Sequence, residues 1–115
     1  MKELKAIQER YLRDELPVRL GGVAANLARV QSFSNHSGHR DVVEQLLNES
    51  KFFIEWVAPD TELEFQAELV ELQVQLACWQ RAWAHIWADP ARRAAVAKRS
   101  GAWSKRVLEM SGLLR

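Results

Sequence analysis

The residues best equipped for chemistry gather in one polar stretch, SNHSGHRDVVE, which holds His36, His39, Asp41 and Glu44. Two imidazoles three residues apart can share a divalent cation, with nearby carboxylates completing the ligand set. No second matched pair accompanies them, and the Glu-x-x-His of di-iron helical bundles occurs nowhere in the chain. A polar turn is the plainer reading of N-H-S-G-H, so no metal ligand and no cofactor is assigned. Cys78 stands alone, which precludes an intrachain disulfide. It adjoins Trp79 inside a helical pattern and is expected to be a buried, inert thiol. No Ser-His-Asp order, glycine-rich phosphate loop or paired metal motif is present, and no catalytic residue is assigned. Gly21-Gly22 lies within an apolar helical pattern, where it favours close helix packing over phosphate binding.

Arg29 and His36 form R-x6-H. This spacing resembles the R-x4-6-H motif of HEPN-type helical ribonucleases. The resemblance covers these two residues; the polar residue that usually follows the family's arginine is Val30 here. It implies a four-helix bundle whose arginine and histidine line an RNA-cutting site across a dimer. A HEPN-like ribonuclease using Arg29 and His36 is therefore the enzyme alternative.

Hydrophobic periodicity identifies the elements that must position any site. Phe65, Leu69, Leu72, Leu76, Trp79, Trp83 and Ile86 recur at spacings of 4, 3, 4, 3, 4 and 3, which keeps them on one helix face. Thr61 and Glu64 make a T-x-x-E capping box for this helix, which is expected to reach about Ala88. Upstream, Leu4, Ile7, Tyr11, Leu16, Leu20, Val23, Leu27 and Val30 predict one long first helix to about Ser34, kinked near Pro17, with two separate helices as the rival. Residues 34–39 form a loop. A second helix then runs from about Arg40 to Val57 with Val43, Leu46, Leu47, Phe53, Ile54 and Val57 inward. Asp89-Pro90 starts the last helix, which carries Val96, Trp103, Val107, Met110 and Leu114 on one side; Gly101 weakens its middle and Gly112 its end. The expected fold is all-α, one domain over 1–115, an antiparallel up-down-up-down four-helix bundle.

Composition narrows the function classes. A formal net charge of +1 gives the whole molecule no strong pull toward nucleic acid or anionic lipid. No apolar run approaches the ~20 residues of a membrane span. The charged start MKELKAIQERYLRDE lacks the apolar core of a secretory signal, so a cytoplasmic protein is expected. Charge is nevertheless segregated: residues 41–71 hold nine acids and one lysine, and residues 72–115 hold eight basic residues and two acids. Arg92, Arg99 and Arg106 repeat every seven residues and form a basic flank expected to neutralise Glu64, Glu68 and Glu71. The rival reading is a nucleic-acid-binding face on the last helix, which the adjacent acids disfavour.

Of five tryptophans, Trp79 and Trp83 lie on the main seam, while Trp87 falls off it and is expected to be partly exposed, an interface candidate. A flat ligand among these rings is a minor possibility. A second, milder stripe of Leu63, Ala67, Val70, Val74, Ala77 and Ala84 lies roughly 150° from the first, interrupted by Arg81. A helix apolar on two opposite faces is either buried centrally or shared with another chain. The chain is accordingly read as a non-catalytic protein-protein interaction or assembly module, homodimeric through Val70, Val74 and Ala77, with an unidentified protein as a further partner.

Overall fold

The computed structural model describes residues 2–113, which contain six α-helices, two 3-10 turns and no strand. The helices are α1 (Lys2–Arg13), α2 (Leu16–Phe33), α3 (Arg40–Val57), α4 (Leu63–Arg81), α5 (Trp83–Ala88) and α6 (Pro90–Ser111). The protein is thus all-α. No helix among the described residues is long and apolar enough to cross a membrane.

The helix count departs from the sequence expectation at two breaks. The first is at Asp14 and Glu15, where Glu15 turns to extended backbone with ψ of 155°. Pro17 therefore sits in the first turn of α2, where its missing N–H costs no helical hydrogen bond. The single kinked helix is replaced by two, locked together by Arg19. Its Nε donates to the Asp14 carbonyl at 3.0 Å, and its Nη1 meets Asp60 Oδ2 at 2.8 Å. The Tyr11 hydroxyl donates to the Arg19 carbonyl at 2.7 Å, and burial pushes this phenol well above its ordinary range.

The second break is at Ala82, with φ −100° and ψ 14°, between α4 and α5. An unbroken helix would carry Trp87 off the seam. The break re-aims α5 so that Trp83, Ile86 and Trp87 are all buried. The expected capping box does not form. Thr61 Oγ1 donates back to the Ala58 carbonyl at 2.8 Å, and Glu62 takes the N-cap position of α4 without a side-chain cap. At the other junction, Asp89 caps α6 as its type predicts, accepting from the Ala91 N–H at 2.9 Å. Gly112 ends α6 in the left-handed region with φ 75°, a conformation that glycine adopts without steric cost. Leu114, assigned to the same apolar stripe, lies outside the described residues.

Cross-helix contacts set the neighbours. Asn26 on α2 donates to Glu49 on α3 at 3.1 Å, while Arg19 reaches Asp60 beyond the far end of α3, so the two run antiparallel. Gln73 donates to the Lys51 carbonyl at 3.1 Å and Gln80 to Asn48 at 3.3 Å, which places α4 antiparallel to α3. The Ser104 hydroxyl donates to the Ala24 carbonyl at 2.7 Å, and Gly101 faces Gln31, so α6 runs back along α2. Small residues line that last approach, and α2 with α6 is the most extensive helix pairing of the fold. The core they enclose is continuous, with Val23, Leu27, Val30, Leu47, Ile54, Leu69, Leu72, Leu76 and Val107 fully buried.

Gly101 offers a test of this packing. A Cβ there would lie 2.5 Å from Nε2 of Gln31, but the atoms in the way are the far end of an exposed, flexible side chain. Gly101→Ala is expected to swing Gln31 into solvent and to raise stability by up to about 1 kcal/mol through helix propensity. Urea unfolding checks this. A loss above roughly 1 kcal/mol would mean that the α2–α6 approach itself, not one side chain, requires glycine.

Candidate interaction surfaces

Along α4 the two apolar stripes separate cleanly. Leu69, Leu72 and Leu76 are fully buried, and Phe65 and Trp79 pack against the core. The opposite stripe is solvent-exposed: Leu63 at 81%, Val70 at 52% and Val74 at 58%, with Ala67 and Ala77 exposed beside them. Isolated exposed aliphatics are ordinary, but a contiguous helix face of them is not. On its α3 side the stripe continues into a shallow groove where Val74 and Ala77 face Phe52, Lys51 and Glu55. Phe52 escaped sequence reading because Phe53, Ile54 and Val57 satisfied the inward pattern of α3 without it. Phe52 and Trp56 stack at 5.7 Å, and Trp56 in turn meets Tyr11 at 6.0 Å, so this side of the molecule is a connected aromatic layer.

Two expectations on single residues are overturned. Trp87 is buried, at 6% exposure, and its indole N–H donates to the Ser37 carbonyl at 2.7 Å; Arg93 stacks over its ring at 5.4 Å. It anchors the α5 turn onto the loop before α3 and offers little surface to a partner. The cause is the Ala82 break, which an uninterrupted 100° rotation per residue does not anticipate. Cys78 is exposed, not buried. It lies at the border of the outward stripe, one turn beyond Val74.

The basic flank is uneven. Arg106 is committed internally. Its guanidinium grips Glu68 with two hydrogen bonds of 2.7 and 2.6 Å and lies 5.6 Å from the Phe65 ring. These hydrogen bonds hold the Glu68 carboxyl below the usual carboxylate range. Arg92 reaches Asp89 at only 4.0 Å, and both are largely exposed. Arg99 is exposed and has no ion pair among the described residues. The expected neutralisation therefore holds at one end of α6, while the α5 end keeps open arginines.

The Glu68–Arg106 pair is partly exposed, so it contributes only ~0–1 kcal/mol. Because the folded carboxyl is shifted downward, the unfolded chain binds the proton more readily. The contribution is complete above the ordinary glutamate range near pH 4 and fades as pH falls below it. Glu68→Gln is expected to be less stable than the parent at pH 7 and equal to it near pH 2. A difference that persists in acid would mean that the pair acts through packing alone.

The two histidines of the first loop are each engaged locally. His36 caps the Ser37–His39 turn, its Nδ1 accepting from the Gly38 N–H at 3.0 Å. His39 places Nδ1 3.3 Å from the Phe33 carbonyl. Arg29 donates to Asn26 Oδ1 at 3.1 Å, and no hydrogen bond joins Arg29 to His36 among the described residues. No group of three or more His, Cys, Asp or Glu is placed to hold a metal among the described residues.

Compared with protein-family models, characterised proteins and solved structures, the chain matches none of them.

Proposed function

We propose that the protein is a non-catalytic, cytoplasmic assembly module that works as a homodimer joined through the outward face of α4. The observation that carries this reading is the exposed row Leu63, Ala67, Val70, Val74 and Ala77 on a helix whose other face is already buried. Each protomer is read as an antiparallel up-down-up-down bundle of α2, α3, α4 and α6, with α1 folded back so that Tyr11 stacks on Phe53 of α3, and with α5 prolonging the α4 rod. In such a bundle one side of each rod is left for solvent, and α4 is the rod whose free side is apolar.

A second copy is the occupant that charge favours. Two-fold antiparallel pairing centred between Val70 and Val74 sets each valine against the other copy's valine. Arg81, at one end of the stripe, then falls beside Glu62 and Glu64 at the other end of the opposing helix. None of these three charges has an ion pair within the chain among the described residues. The same surface patch thus complements itself, as a two-fold interface requires. Ala67 and Ala77 lie where the helices would approach most closely. One helix face supplies less than the ~800 Å² per partner of a standard interface, so Phe52 and Glu55 join it and the affinity is expected to be micromolar.

Light scattering coupled to size exclusion at about 50 µM, well above a micromolar Kd, tests the reading. The expected mass is twice the 13.2 kDa of the chain. A single-chain mass at that concentration would overturn it.

A further inference from the structure

We propose that the groove between α4 and α6, separate from the dimer face, seats an acidic amphipathic helix of another protein. Unlike α2 and α6, which meet through glycine, alanine and serine, α4 and α6 are bridged by long side chains, and a channel stays open between them. Toward α5 it is lined by Trp79, Ile86, Val96 and Ala95, with Gln75 on the α4 side and Arg92 and Arg99 on the α6 rim. It continues past Arg99 to Trp103, Ala102 and the Glu68–Arg106 pair. Arg92 to Arg106 spans roughly 21 Å at 1.5 Å per residue, enough for about four turns of a docked helix.

The lining selects the occupant. Its floor is apolar and aromatic, which suits the greasy face of a helix laid in a groove. Its α6 rim carries two exposed guanidiniums one heptad apart, Arg99 without an ion pair among the described residues and Arg92 4.0 Å from Asp89, which suits carboxylates repeating along that helix. A nucleic-acid strand fits less well. Arg106 is already neutralised by Glu68, and the floor offers few donors for phosphate. Within the channel wall, the Trp103 indole N–H is buried without a hydrogen-bond partner among the described residues.

The probe is a labelled helical peptide of about 18 residues built from leucine, alanine and glutamate, with the leucines on one face. Its controls are the same peptide with lysine for glutamate and a single-stranded RNA of equal length. By fluorescence anisotropy the acidic peptide is expected to bind saturably with micromolar Kd, at least about tenfold tighter than the lysine peptide. Arg99→Glu, at an exposed position, is expected to weaken the acidic peptide by about tenfold, and Ala95→Tyr, which fills the channel from its exposed rim, to block it. Absence of binding at concentrations on the order of 10⁻⁴ M, equal affinity for both peptides, or tighter binding of RNA would each overturn the proposal. Val74→Glu protein is expected to bind the acidic peptide unchanged, so failure of the dimer reading and failure of this one are distinguishable.

Discussion

Val74→Glu is expected to convert the dimer to a monomer while leaving the fold intact. Val74 is 58% exposed and is not part of the buried core cluster, so the change within one protomer is a surface substitution worth under ~0.5 kcal/mol. Across the proposed interface the same carboxylate would face valine on the opposing helix, with Lys51 of its own chain at the groove edge as the nearest cation, and the two-fold axis makes the insult occur twice. Burying a charge against an apolar surface is strongly unfavourable. The dimer dissociation constant is expected to rise by at least about 100-fold, roughly 2.7 kcal/mol. Sedimentation velocity over a concentration series measures it, with far-ultraviolet circular dichroism confirming unchanged helicity. An unchanged mass distribution would sink the α4 interface. The antiparallel register has its own test: Arg81→Glu should weaken the dimer, and combining it with Glu62→Arg and Glu64→Arg should restore it, because the new pairs form between copies.

Leu76→Ala, two residues along the same helix, is expected to do the reverse: lose much of the protomer's stability without addressing the dimer face. Leu76 is fully buried in the core cluster that also holds Leu72, Trp83 and Trp87. Removing its branched side chain forfeits transfer free energy and leaves a void that close-packed neighbours fill only in part, costing about 2–5 kcal/mol. At about 4–8 °C per kcal/mol for a chain near this size, the midpoint of thermal unfolding should drop by at least about 8 °C. Denaturant unfolding checks the value, monitored at low protein concentration so that dissociation does not mix with unfolding. A cost below about 1 kcal/mol would mean that the α4 seam is not core. The contrast with Val74 matters because both residues are aliphatic and neighbours in sequence, and only their direction from the helix axis separates the two outcomes.

That direction was legible in the sequence because a 3.6-residue period needs no tertiary information. Leu69, Leu72 and Leu76 fall inward and Val70 and Val74 outward from spacing alone. The bounds of α3 and the Asp89 cap of α6 were legible for similar local reasons. Thr61 was misread although its local pattern was good. A hydroxyl can cap the helix ahead or close the turn behind, and here the Ala58 carbonyl of the preceding turn takes it. Cys78 was misread because its neighbour Trp79 lies inward while Cys78 itself is rotated 100° away. The open groove between α4 and α6 was hidden too, since the sequence placed Arg99 and Arg106 against acids alike and only the fold showed which one pairs.

What the amino-acid sequence determined by itself is the all-helical class, the inward seam of α4 and the apolar row on its other side. These depend on repeats within single helices. What only the tertiary structure decided is where the rods break and which charges remain open. Trp87 shows the reason. Its burial depends on a turn at Ala82 that brings its indole to the Ser37 carbonyl, a partner 50 residues away. No local pattern encodes that partner, because the hydrogen bond exists only once separate helices have packed.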